Sequence, residues 1–228
     1  THDDKEEQIV SLEDYVSRMP EGQKAIYYIA AENFSTAKNS PHLEIFRDKG
    51  IEVLLLSDPI DEWLTTHLNE FDGKPLVSVN KGELDLDASE EEGKDRKEKG
   101  EKLEKEYEDI TKRIKDILED KVKDVRVTDR LTTSPACLVA DEHDMGRHLE
   151  QILAASGQSM PGSKPILEIN PSHLILLRLK DEQDEDRFRD WSNIIFDQAL
   201  LSEGAQLADP AAYVSRMNSM LSGLASSH

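Results

Sequence analysis

From Leu12 to Val79 the spacing of apolar residues switches between helical and strand periods. Leu12–Met19 reads as a helix, Ala25–Ala30 as a strand, and Phe34 through Arg47 as a helix. Val53–Leu56 follows as a strand, Ile60–Asn69 as a helix and Leu76–Val79 as a short strand. Alternation of this kind implies a small, mostly parallel sheet covered by helices. The punctuation is clearest between Ser40 and Leu64. Pro41 stands at a helix start, where its missing N–H costs nothing. Lys49-Gly50 closes that helix, cation first and glycine after. Ile51 with Val53–Leu56 makes a nearly continuous apolar run, the pattern of a strand buried on both faces. Ser57-Asp58 caps the next helix, with Pro59 at its first position and Asp61 and Glu62 in its first turn.

The pattern breaks after Val79. Residues 80–102 are dominated by charge, with almost no large apolar side chain after Leu86. Such a stretch cannot bury enough surface to offset its ordering entropy, so it reads as a solvated linker running into a helix. The chain therefore divides into a unit over 1–80, a charged linker over 81–97 and a second unit over 98–228. The second unit opens with a long helix whose face carries Leu103, Tyr107, Ile110, Ile114, Ile117, Leu118 and Val122. Strands follow at Val125–Thr128, Ala136–Ala140 and Ile166–Ile169. Between the last two lies an amphipathic helix, Asp144–Ser156, stopped by Gly157. Pro171 begins a short helix through Lys180. Asp184–Glu203 is a helix with an apolar set too wide for one face, and Asp209-Pro210 starts a last helix striped by Tyr213, Met217, Met220, Leu221 and Leu224. The fold class is α/β (α+β): a small αβα layered unit, then a second mixed unit ending in helices.

Composition narrows the partners. Hydrophobic residues make up 37% of the 228, charged residues 33%, and the net charge is −20. A polyanion of this kind repels nucleic acid and anionic membrane. The single cysteine, Cys137, cannot form an internal disulfide, which fits a reducing compartment. No apolar run approaches the ~20 residues of a membrane span, and the acidic start lacks a signal-peptide core.

Catalytic chemistry is hard to assemble. The seven histidines are scattered; His143 and His148 share a helix face poorly, and one cysteine cannot supply the thiolates of a zinc site. No Gly-rich phosphate loop follows a strand. Ser57, Asp58 and His67 resemble a hydrolase triad in residue type only, and the helix cap explains Ser57-Asp58 better. Cys137 sits in an apolar strand without an evident base, the setting of an inert thiol. No metal and no cofactor is expected in this chain.

Several blocks, in one order, carry a family resemblance. They are Ser11–Met19 (SLEDYVSRM), Gly22-Gln23 with Ile26–Ile29, Ser40–Glu44 (SPHLE), Lys49–Leu56 (KGIEVLLL), Ile60–Trp63 (IDEW), and Phe71–Lys74 (FDGK). Val122–Thr128 with Arg130-Leu131, Asp197–Leu201 (DQALL), and Asp209-Pro210 leading to Arg216-Met217-Asn218 continue the series. In these blocks the chain resembles the end of the middle domain and the C-terminal domain of the ninety-kilodalton heat-shock chaperones, the bacterial members in particular. The resemblance implies a cytoplasmic, homodimeric chaperone fragment that binds partly unfolded clients and, in the intact protein, works with co-chaperones. It also implies that ATP and magnesium bind in an N-terminal domain outside this chain, so the fragment itself is not an ATPase.

Three surfaces follow, each with a plainer alternative. Met145, Leu149, Ile152 and Leu153 form one helix face; by spacing alone it packs on its own domain, whereas the resemblance makes it client-binding. Burying four such side chains is worth on the order of 6–12 kcal/mol, ample for weak capture of an unfolded segment. Glu62 and Trp63 either close the small sheet or, as the resemblance implies, contact clients. The terminal helices either pack within the chain or pair across a two-fold axis in a four-helix dimer bundle through Trp191, Ile195, Tyr213, Met217, Met220, Leu221 and Leu224. Readings of other classes are a small-molecule α/β enzyme using the loops after Ala30 and Leu56, and a purely structural dimerisation module. Strong thermal stabilisation by nucleotide or metal favours the enzyme, and absence of client binding the module.

Overall fold

A computed structural model describes residues 1, 10–86, 90–141, 144 and 163–225. The first unit contains α1 (Leu12–Arg18), β1 (Ile26–Ala30), α2 (Phe34–Lys38), a 3-10 turn (Pro41–Leu43), α3 (Glu44–Asp48), β2 (Val53–Leu56), α4 (Pro59–His67), β3 (Glu70–Phe71) and β4 (Lys74–Ser78). Its sheet runs β2-β1-β4-β3. β1 lies parallel to both β2 and β4, with Tyr27 opposite Val53 and Val77. The helix expected from Phe34 through Arg47 is three pieces. Pro41 has no N–H and disfavours helical backbone at Ser40, which turns extended (ψ 135°). The Ser40 hydroxyl then accepts from the His42 N–H and restarts the chain.

Two further departures have simple causes. β2 is an edge strand, and Leu54, Leu55 and Leu56 are only half-buried; a continuous apolar run does not distinguish a central strand from an edge packed under loops. β3 and β4 form a hairpin across Asp72-Gly73, both with positive φ (50° and 71°). That is the backbone of a type I′ turn, which Asp-Gly favours.

The second unit contains α5 (Glu90–Ile117), β5 (Asp124–Val127), β6 (Ala136–Val139), β7 (Ile166–Ile169), α6 (Leu174–Asp181), α7 (Glu185–Ser202) and α8 (Pro210–Ala225). Its sheet runs β5-β7-β6, with β5 parallel and β6 antiparallel to the central β7. Tyr107, Ile110 and Ile114 of α5, with Leu118 just after it, meet Val125, Leu138, Leu167, Ile169, Phe188 and Phe196 in one core. The first unit has its own core around Tyr27, Ile29, Leu43, Phe46 and Val53. Mixed helices and two small mixed sheets make this an α+β chain.

The stretch expected as a solvated linker differs in both halves. Lys81 pairs with Ala140, and Leu84 and Leu86 are buried in the first core. From Glu90 the chain is already α5, where Arg96 donates to both Asp129 carboxylate oxygens (2.6 and 2.8 Å) and to the Leu84 carbonyl. Charge composition hid these contacts, because two leucines and one arginine suffice to anchor the segment.

Glu168 is the one carboxylate within β7, and it is only 2% exposed. Arg126 from β5 pairs with its Oε1 (2.7 Å), and Arg130 Nε with its Oε2 (2.7 Å). Arg130 spends its remaining donors on the carbonyls of Val79 (3.2 Å) and Gly82 (3.0 Å), where the chain crosses between units. Removing one member of such a network leaves a buried charge uncompensated. Glu168→Gln is expected to cost about 3–5 kcal/mol in urea unfolding, and a loss under 1 kcal/mol would contradict this reading.

Candidate functional site

α4 is built to present a surface. Pro59 occupies its first turn, and the Asp58 N–H donates to the Asp61 carboxylate (3.0 Å). At its other end the Leu68 N–H closes on the Leu64 carbonyl (2.8 Å). Between these caps Ile60, Trp63 and Leu64 fall at i, i+3 and i+4, so they share one face. They are 67%, 51% and 49% exposed. Trp63 therefore does not close the sheet. Three large apolar side chains on one face of this helix are thus left in solvent, outside both cores.

The terminal helices pack on each other, with Arg216 of α8 reaching Asp190 (3.6 Å) and Asp197 (3.5 Å) of α7. Asp209 Oδ1 accepts from the Ala212 N–H and starts α8. Burial holds the Asp197 carboxyl above the ordinary range, and Asp209 adds to this against Lys121 and Arg216. Tyr213, Met217 and Met220 are half-buried, while Val214 and Leu221, with Leu201 on α7, are exposed. Trp191 is half-buried against the second core. Ile195 is corrected: at 1% exposure it is a core residue of its own chain and is not available to a partner. The wide apolar set of α7 hid this, because sequence shows that such a helix is covered but not by what.

Met145, Leu149, Ile152 and Leu153 lie outside the described residues, as do the side chains of Glu62 and Leu224. The remaining chemistry is sparse. Burial raises the Cys137 thiol well above its ordinary value, and Glu168 pushes it further. Among the described residues no group of three or more histidine, cysteine or acidic side chains is placed to hold a metal. The loop after Ala30 borders a cavity of about 40 Å³ with His42 and Glu203 on its wall. That is room for a few waters and too little for a nucleotide.

One polar site was not foreseen. Glu44, the first residue of α3, reaches the turn before β6 in the second unit. Its carboxylate accepts from the N–H groups of Thr132 (2.6 Å), Thr133 (2.8 Å) and Ser134 (3.1 Å). The Thr133 and Ser134 hydroxyls also donate to it, at 2.8 and 2.5 Å. Burial alone would raise this carboxyl, but the donors from Ser134, Thr133 and Thr132 outweigh it and hold it below its ordinary value. No spacing rule connects residue 44 with 132–134; the sole sequence sign was a Ser/Thr run able to form such a nest.

A family model described as Hsp90 protein matches residues 1–227. The chain is similar to proteins called Chaperone protein HtpG. The one from Nitrosococcus oceani is 55% identical over 225 residues, covering 99% of this chain and 35% of the relative. That from Dechloromonas aromatica is 57% identical over 224 residues, covering 98% and 35%. That from Aromatoleum aromaticum is 56% identical over 227 residues, covering 100% and 34%. The chain thus spans about a third of the length of these relatives.

Because the Glu44 carboxyl sits below its ordinary 4.5 in the folded chain, its contacts contribute fully above that value. They are lost as pH falls through the lower, folded value. Below about pH 4.5 the native chain should therefore lose urea stability more steeply than the Glu44→Gln variant. Parallel acid limbs for the two proteins would contradict the assignment.

Proposed function

The chain belongs to the Hsp90 protein family, and on that premise we propose that it is the segment of a bacterial ATP-dependent chaperone that pairs two protomers and holds partly unfolded clients. The first unit is the end of the middle domain and the second the C-terminal dimerisation domain. The observation that carries the client-binding reading is the exposed apolar face of α4, Ile60, Trp63 and Leu64, on a helix capped at both ends. Each such side chain, once covered, contributes roughly 1.5–3 kcal/mol. After association costs, three or four of them give weak capture that tolerates many sequences. The helix over 144–156, with Met145, Leu149, Ile152 and Leu153, adds a second client surface on sequence grounds, and Glu62 an acidic neighbour for basic segments. High negative charge keeps a chain with such faces soluble.

Dimerisation runs through α7 and α8, forming a four-helix bundle with the partner copy. Tyr213, Met217 and Met220 provide the half-buried rows, and Val214, Leu221 and Leu201 the exposed ones. A two-fold contact of this sort brings two client surfaces together and raises their effective concentration. ATP and magnesium bind in the part of the intact protein that precedes this segment. The chain itself carries out no catalysis, and it acts in the cytoplasm. No helix among the described residues is long and apolar enough to cross a membrane.

Two measurements test this reading. Polar replacement of Met220, Leu221 and Leu224 should yield a folded monomer by light scattering, and a persisting dimer would overturn the bundle. Polar replacement of Ile60, Trp63 and Leu64 should weaken suppression of client aggregation while leaving the melting temperature within a few degrees. Unchanged suppression would remove α4 from the client surface.

A further inference from the structure

Among the described residues the two units share no large apolar core. Tyr27, Leu43, Phe46 and Val53 belong to one buried cluster, and Ile114, Leu138, Leu167 and Phe188 to another. Leu131, Cys137 and Val139 form only a small third one. The 3-10 turn packs on β6, and the buried His42 imidazole stands 3.5 Å from Glu203; beside this packing, polar contacts of two kinds join the units. Where the chain crosses, the backbone itself is tied. The Ala140 N–H donates to the Asn80 carbonyl (3.1 Å), and the Gly82 N–H to the Ala140 carbonyl (3.0 Å). The buried Arg130 guanidinium grips the Val79 and Gly82 carbonyls beside them. These contacts fasten residues 79–82, the covalent connection itself, to Arg130 and Ala140 of the second unit.

The second kind lies far from the crossing in sequence. Glu44 reaches from α3 to the 132–134 turn, and Thr132 and Thr133 stand exposed at the surface. Every group in this contact is one that water satisfies well. Nearby, Gly204 (φ +77°) lies against Thr36, so close that a Cβ there would stand 3.2 Å from the threonine methyl. That contact adds shape but no bond. An interface that is polar rather than large and apolar leaves relative motion of its two sides as the default.

We propose that Glu44 is a releasable latch. With its carboxylate in the 132–134 nest, the units hold one relative arrangement. When it withdraws, they turn about the crossing at 80–82 and Ala140, each keeping its own fold. Three converging backbone N–H groups match a full negative charge. The neutral amide of glutamine offers one acceptor oxygen in place of two charged ones. The latch sets the spacing between α4 on the first unit and the terminal helices on the second. The proposal concerns geometry alone and stands whether or not those surfaces hold clients.

Pulsed electron-spin distance measurement on the full chain tests it. Spin labels are placed through Asn69→Cys and Lys99→Cys, both exposed positions. The native Cys137 is buried and does not take label. The labelled chain is diluted into an excess of unlabelled chain, so that distances within one protomer dominate, and with Glu44 present one narrow distance is expected. Glu44→Gln should add a second, broader distance population while circular dichroism and the melting of each unit stay near native. The milder pair Thr133→Ala and Ser134→Ala, which removes only hydroxyl donors, should add a smaller one. A single unchanged distance in folded Glu44→Gln would overturn the latch. So would loss of folding in both variants, which would make Glu44 part of the fold itself.

Discussion

A carboxylate buried in the middle of a β-strand constrains everything around it. Glu168 faces the interior from the central strand of the second sheet, so its charge must be paired where water is absent. Arg126 meets it from the neighbouring parallel strand, which fixes the register of β5 against β7: Arg126 stands directly opposite Glu168. Arg130 completes the pair and carries the constraint outward, because its other donors need carbonyls and find those of Val79 and Gly82. One buried charge thus ties the sheet of the second unit to the point where the chain leaves the first. Such a network adds little net stability over an apolar substitute of the same size. Its effect is to exclude alternatives, since any slip of β5 or displacement of the crossing would strand a charge.

Much of the element order was legible because local rules and tertiary needs agree. Pro41, Gly50 and Pro59 act where their backbone restrictions place them. The strand at Ile166–Ile169 and the start of α8 fall where apolar runs and capping residues put them. What was not legible involves partners distant in sequence. Leu84 and Leu86 look negligible inside a charged segment, yet two buried leucines anchor it. Ile195 looks like one of many apolar positions on a wide helix, and only the packed core assigns it inward. The Asp72-Gly73 hairpin was readable from its dipeptide, but its strands are too short to show a period. Glu44 and Arg130 both lie in blocks shared with the family, and local sequence could not say that they face each other's units.

The inside and the outside of the chain contrast in what their apolar residues touch. Within each unit large apolar residues build a core, and polar groups beside it find partners, as at Tyr107, whose hydroxyl donates to the Pro171 carbonyl. On α4 and α8 the same residue types remain in solvent. Folding does not require Ile60, Trp63 or Leu221 to be covered, so these side chains are free to be covered by something else. A strongly negative chain tolerates this exposure because like charge opposes indiscriminate self-association. Between the units the contacts are fewer: a 3-10 turn on β6, the Gly204–Thr36 approach and the polar groups around Arg130 and Glu44.

Two units with separate apolar cores, joined through a small and largely polar contact, should open separately. Native-state hydrogen exchange in increasing urea tests this most directly. The β1 amides, Tyr27–Ala30, and the β7 amides, Leu167–Ile169, are expected to open with two distinct free energies that stay apart as urea rises. A single common opening, with all these amides merging on one line from the lowest urea, would show one cooperative core and contradict it.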